Sequence, residues 1–161
     1  MAIHHDTRQV HLVGITERLT EDWMVQQARN LTDCDDGFLR GRRFLVMDRD
    51  PTFSVTFRRT LTAVGMTPLR IPPQSPNCNP FIERFFRSLK DECLSHTIPF
   101  GEAGLRHLIA EYLTYYHRER PHLGIDDRII DPDPVVSHRS GEIVCRKRLG
   151  GLLTFYHRDA A

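Results

Sequence analysis

Two acidic residues of this 161-residue chain offer its clearest chemistry. Asp48 ends the apolar run Arg43 to Met47, and Glu83 opens a helical segment after a proline-rich stretch. An acid at the carboxyl end of a strand lies where open α/β sheets place their ligands. On a helical wheel at about 100° per residue with Ile82 as origin, Phe85, Phe86, Leu89 and Cys93 stay within roughly 60° of it, whereas Glu83, Arg87 and Lys90 fall together roughly 80–140° away. Carboxylates brought together from a strand end and a helix could hold hard divalent cations, because magnesium takes oxygen ligands and keeps waters for substrate phosphates. A neighbouring Arg and Lys could clamp those phosphates, which suits two-metal phosphoryl transfer. The plainer reading is that strand-end aspartates cap turns and that Glu83 with Arg87 is an ordinary i,i+4 pair on a solvated helix.

Either reading requires a strand, a loop and a helix in that order, and the pattern supplies them. Gln9 to Ile15 alternates and reads as a strand. Thr20 can cap a helix in which Trp23, Met24, Gln27, Ala28 and Leu31 recur at helical spacing, until the polar stop Asp33 to Gly37. Arg43 to Met47 is a second strand. Thr52 to Val64 places Phe53, Phe57, Leu61 and Val64 on one helical face with Gly65 closing it, and Thr67 to Ile71 is a third strand. Three prolines between Pro72 and Cys78 force a loop. Asn79 then caps a helix with Pro80 in its first position, and a further helix from about Glu102 to Tyr116 buries Leu105, Leu108, Ile109, Tyr112 and Tyr116. Asp131 to Pro134 reads as a linker, and Ile143 to His157 as two strands joined near Gly150 and Gly151. The alternation predicts an α/β domain over residues 1–134 and a basic β-hairpin extension over 135–161.

Twenty-two Lys and Arg against twenty-one Asp and Glu leave a net charge of +1, so binding to a polyanion needs a local patch. One candidate is the tail from residue 137, where Arg139, Arg146, Lys147, Arg148 and Arg158 face only Glu142 and Asp159. No apolar run approaches the roughly 18 residues that span a bilayer, and the first residues lack a signal-peptide layout, so the reading is a cytosolic protein. Cys34, Cys78, Cys93 and Cys145 lack metal-site spacing and read as free thiols. Asp33, Asp35 and Asp36 read as a solvated loop, and the histidines as surface or packing residues.

Three strings in order raise the first reading above the plainer one: VMDRDPTF at Val46 to Phe53, PPQSPNCNPFIERFFRSLKDEC at Pro72 to Cys93, and YYHRERPH at Tyr115 to His122. They resemble the integrase core domain of retroviral integrases and bacterial insertion-sequence transposases, over about Gln9 to Pro134. The spacing of thirty-five positions between Asp48 and Glu83 lies within that family's interval between its second and third catalytic acids.

The resemblance implies a ribonuclease-H-like mixed sheet with flanking helices and a D-D-E triad holding two magnesium or manganese ions, with attack on DNA phosphodiesters by water or a 3′-hydroxyl. It makes Asp48 and Glu83 the catalytic, metal-binding acids and Arg87 and Lys90 DNA contacts, with Arg146, Lys147 and Arg148 of the tail as further candidates. Asn77 and Asn79 stand in the loop before Glu83, where the family carries an Asn that helps set the helix start. Asp50 replaces a Gly usual in the family; on a continuing strand it would point to the same side as Asp48, as an outer-shell group. Arg120, Pro121 and His122 match a motif expected to fix the chain after the last helix. The family's first acid lies on a strand upstream of Gln9 to Ile15, so the expectation is a core without its first two strands and first acid, inactive alone. The sheet edge thereby exposed invites a second copy or an intact transposase. The expected partners are transposon ends and target DNA in the bacterial cytosol, with no membrane. The alternative is a non-catalytic DNA-binding or assembly fragment of a transposase.

Overall fold

The computed structural model describes residues 1–73, 78–133 and 141–159. It is a mixed α/β chain that divides into two compact units, one of Met1–Ala2 with His11–Ile82 and the other of Ile3–Val10 with Glu83–Ala161. The expected boundary at Pro134, like Asn77 and Arg139, lies outside the described residues.

In place of a strand over Gln9 to Ile15, the chain forms a short pair, β1 (Ala2–Ile3) and β2 (Val10–His11). In the first unit, α1 (Glu21–Leu31) starts at Thr20, whose hydroxyl accepts from the Trp23 amide at 3.2 Å. It buries Met24, Val25, Ala28 and Leu31. Gly37 has to be glycine, because a Cβ there would meet the Asp33 backbone at 2.5 Å. The strands β3 (Phe44–Met47) and β4 (Thr67–Arg70) run parallel in the register Phe44 to Thr67 through Met47 to Arg70. They are joined by α2 (Val55–Ala63).

The sequence places the start of α2 at Thr52, but the helix begins three residues later. Asp50 and Thr52 are engaged in a turn, and Ser54 takes the cap by accepting from the Phe57 amide at 3.1 Å. Gly65, at φ +81°, ends it in the left-handed conformation open to glycine. Phe57 and Leu61 are buried with Met24, Ala28, Leu31, Leu39, Met47 and Met66, and Phe53 packs on that core; Val64 caps the helix end and is exposed.

The second unit holds α3 (Pro80–Glu92) from Glu83 onward, α4 (Gly101–Arg118) and the antiparallel hairpin β5 (Ile143–Arg148) with β6 (Leu153–Arg158). Pro80 opens α3, where a missing N–H costs nothing. Phe85, Leu89 and Cys93 are buried with Ile109, Tyr112, Tyr116 and Leu153. Phe86, expected among them, is 48% exposed, and Leu105 and Leu108 are half-buried. All four cysteines are free thiols, three exposed and Cys93 buried. Among the described residues, no helix is long and apolar enough to cross a membrane.

Candidate functional site

Asp48 follows the last residue of β3 and is exposed. Its Oδ1 accepts from the Asp50 amide at 2.9 Å, and Asp50 in turn accepts from the Thr52 amide and hydroxyl at 2.8 and 2.7 Å. The two Thr52 bonds hold the Asp50 carboxyl below its usual range. Asp50 does not extend the strand as expected. Its carboxylate is spent on the turn into α2, which in effect fixes the loop behind Asp48. Arg49 Nε donates to the Ile71 carbonyl at 2.9 Å, tying the exits of β3 and β4 together. A strand-end carboxylate with one oxygen in a local bond and the other facing water can take a cation.

In the second unit, Glu83, Arg87 and Lys90 all lie exposed along one side of α3, as the wheel predicts, while Phe85 and Leu89 fill the other side. This face offers one anionic oxygen donor and two cations within two helical turns. Among the described residues, Asp33, Cys34 and Asp35 form the one group of three ligand-bearing side chains whose ligand atoms lie within 4.8 Å of one another. All three are exposed, and Asp33 Oδ1 accepts from the Asp35 amide, as in an ordinary polar turn.

The hairpin sorts its three central cations by strand alternation. Lys147 is exposed, whereas Arg146 and Arg148 point to the opposite face and meet Glu119, whose side chain is only 1% exposed. Arg148 reaches Glu119 through Nε and Nη2 at 2.9 and 2.8 Å and Glu111 through Nη1 at 3.0 Å, and Arg146 Nη1 adds a bond of 3.2 Å. Glu111 and Glu119 are eight residues apart on the sequence of α4 and its end, a spacing that returns to one side of a helix. The sequence reading missed both as partners of the tail.

It also missed how much of the string Tyr115 to His122 is internally engaged. His117 Nε2 accepts from the Val10 amide at 2.9 Å, so this ring is neutral with its proton on Nδ1. His122 takes the other tautomer, with Nε2 donating to the Tyr116 carbonyl at 2.7 Å. Burial lowers the pKa of both rings, His117 further through His122 and His122 further through Arg120. A base whose folded pKa is depressed gives full stability above its unfolded pKa of about 6.5 and loses it as pH falls below that value. Urea midpoints should therefore decline from pH 7.5 to pH 5.5, and His117→Gln, which keeps an acceptor without a titrating ring, should flatten part of that decline.

Residues 64–128 match the family model of the integrase core domain. The matched stretch contains β4, α3, α4 and the string Tyr115 to His122. The resemblance is borne out over that segment, which holds the second and third of the three strings; the first, Val46 to Phe53, lies outside it. Among solved structures, the chain is similar to the catalytic core domain of BIV integrase, at 20% identity over 69% of each chain, with a TM-score of 0.49. No curated protein matches the chain.

Proposed function

With the integrase core domain matched across residues 64–128, we propose that this chain is a transposase or integrase catalytic core for metal-dependent strand transfer on DNA, its turnover impaired because only the second and third of the three catalytic acids are assigned in it. The observation that carries this reading is the exposed row of Glu83, Arg87 and Lys90 on the helix inside the matched segment. Asp48 and Glu83 are the acids that hold magnesium or manganese, and their oxygen donors suit such hard ions. When bound, the ions supply an activated attacking oxygen and a steadied leaving oxygen. Arg87 and Lys90 hold the DNA backbone next to Glu83, and exposed Lys147 adds a phosphate contact from the hairpin. Arg146 and Arg148 reach phosphate only by sharing themselves with Glu119 and Glu111. The parallel β3–α2–β4 unit is compatible with a ribonuclease-H-like sheet.

A second reading, a non-catalytic assembly partner of transposase, is favoured by the sheet of the first unit. Phe44 is 52% and Leu69 42% exposed on a two-stranded parallel sheet, whereas such sheets are normally covered on both faces. Nicking of supercoiled plasmid in the presence of manganese separates the two. Turnover that falls to background in Asp48→Asn and in Glu83→Gln, with DNA binding retained, supports the catalytic core. Binding without turnover, indifferent to both changes, supports the assembly partner, and absence of DNA binding overturns both.

A further inference from the structure

We propose that the string Tyr115 to His122 works with Tyr112 as a clamp that sets the roll and height of α3 and so aims Glu83, Arg87 and Lys90; what those three side chains do rests on the function proposed above. Phe85 and Glu92 are seven residues apart, which places them within about 20° of each other on the helix and roughly 10 Å apart along its axis. Each is pinned from the same source. Phe85, fully buried, meets the Tyr116 ring edge-on at a centroid distance of 5.0 Å and the Tyr112 ring at 6.2 Å. Glu92 accepts from Arg120 Nη2 at 2.7 Å and from Arg120 Nε at 3.1 and 3.2 Å, and from the Tyr112 hydroxyl at 3.1 Å.

The two pins are coupled to each other. The Arg120 guanidinium lies 5.8 Å from the centroid of the Tyr116 ring, and the His122 ring abuts that ring at 4.5 Å while donating to the Tyr116 carbonyl. A helix held at two points on one stripe cannot turn about its axis or slide without breaking one of them. Glu83, Arg87 and Lys90 fall roughly 140–200° from Phe85, on the face opposite the pins. A roll of about 20° would carry a group at the roughly 5–6 Å radius of the side-chain shell by about 2 Å. A displacement of about 1 Å already costs a reactive site on the order of 100-fold.

Arg120→Lys keeps the charge and removes the planar fork, and Tyr112→Phe removes only the hydroxyl that reaches Glu92; either alone leaves the aromatic pin in place. The expected result for each is amide hydrogen exchange in Pro80–Glu92 at least about tenfold faster, with α1 and α2 unchanged. Manganese-dependent nicking should show kcat down by at least about tenfold and KM for DNA within about twofold. The exchanged pair Glu92→Arg with Arg120→Glu should recover part of both losses. Unchanged exchange in α3 overturns the clamp, and faster exchange with undiminished kcat overturns its role in aiming. Wild-type protein that folds but never nicks DNA overturns the proposed function and the aiming role together, and the exchange data then decide the clamp by themselves.

Discussion

Glu119→Ala should lower the unfolding free energy by about 3–5 kcal/mol, the cost of stripping one partner from a buried ion pair. Glu119 is almost wholly enclosed and accepts three bonds from Arg148 and Arg146. Arg148 is itself only 17% exposed, and Glu111 alone would then face it in a surrounding that no longer balances two guanidinium groups. Burial by itself raises the Glu119 pKa, but the bonds and charges of Arg148 and Arg146 together outweigh it, and the net shift is downward. An acid with a depressed folded pKa contributes stability above its ordinary value, and that stability is lost as pH falls through the lower folded one. Glu119→Gln, which keeps an acceptor without the charge, should therefore lose less than alanine at pH 7 and show a flatter decline below pH 4.5. Urea denaturation followed by circular dichroism at both pH values measures this. A loss under about 1 kcal/mol for alanine would show that solvent already screens the network.

Leu61→Ala should cost about 2–5 kcal/mol through lost burial and the cavity left behind. Leu61 has no solvent exposure and lies in the last turn of α2 among Phe57, Met66, Met47 and Ala28. Val64→Ala, at a position 57% exposed, should change stability by less than about 0.5 kcal/mol. The two occupy the same helical face in the sequence pattern, so the contrast measures how far that pattern overstates the buried stripe at a helix end. Denaturant midpoints at unchanged slope decide it.

The elements with local signals were legible. Thr20 before Glu21 and Asp22, and Pro80 after Asn79, mark helix starts by chemistry that acts within a few residues, and α1 and α3 begin there. The run Arg43 to Met47 gave β3 to within one residue. Strand content at Gln9 to Ile15 was overread, because alternation shows only that a segment can extend and a strand also needs a pairing neighbour. Phe86 falls within the apolar stripe by its angle, but on the margin that borders Lys90 and Glu83, and the burial centres on Phe85, Leu89 and Cys93 instead. The three-cation run of the tail was read as a uniform basic patch. Period-two alternation alone separates Lys147 from Arg146 and Arg148, but which face turns inward depends on Glu119, twenty-seven residues from Arg146 and outside any local window. Asp48 and Glu83 were legible as exposed acids at a strand exit and a helix start, which is where each is found.

The division into two units has a spectroscopic consequence. The sole tryptophan, Trp23, belongs to the first unit, and all four tyrosines, at 112, 115, 116 and 156, belong to the second. Emission excited at the red edge of the indole band therefore monitors melting around α1 alone, whereas near-ultraviolet phenol signals follow the other half of the polypeptide. Each half thus carries its own optical reporter without any label being introduced.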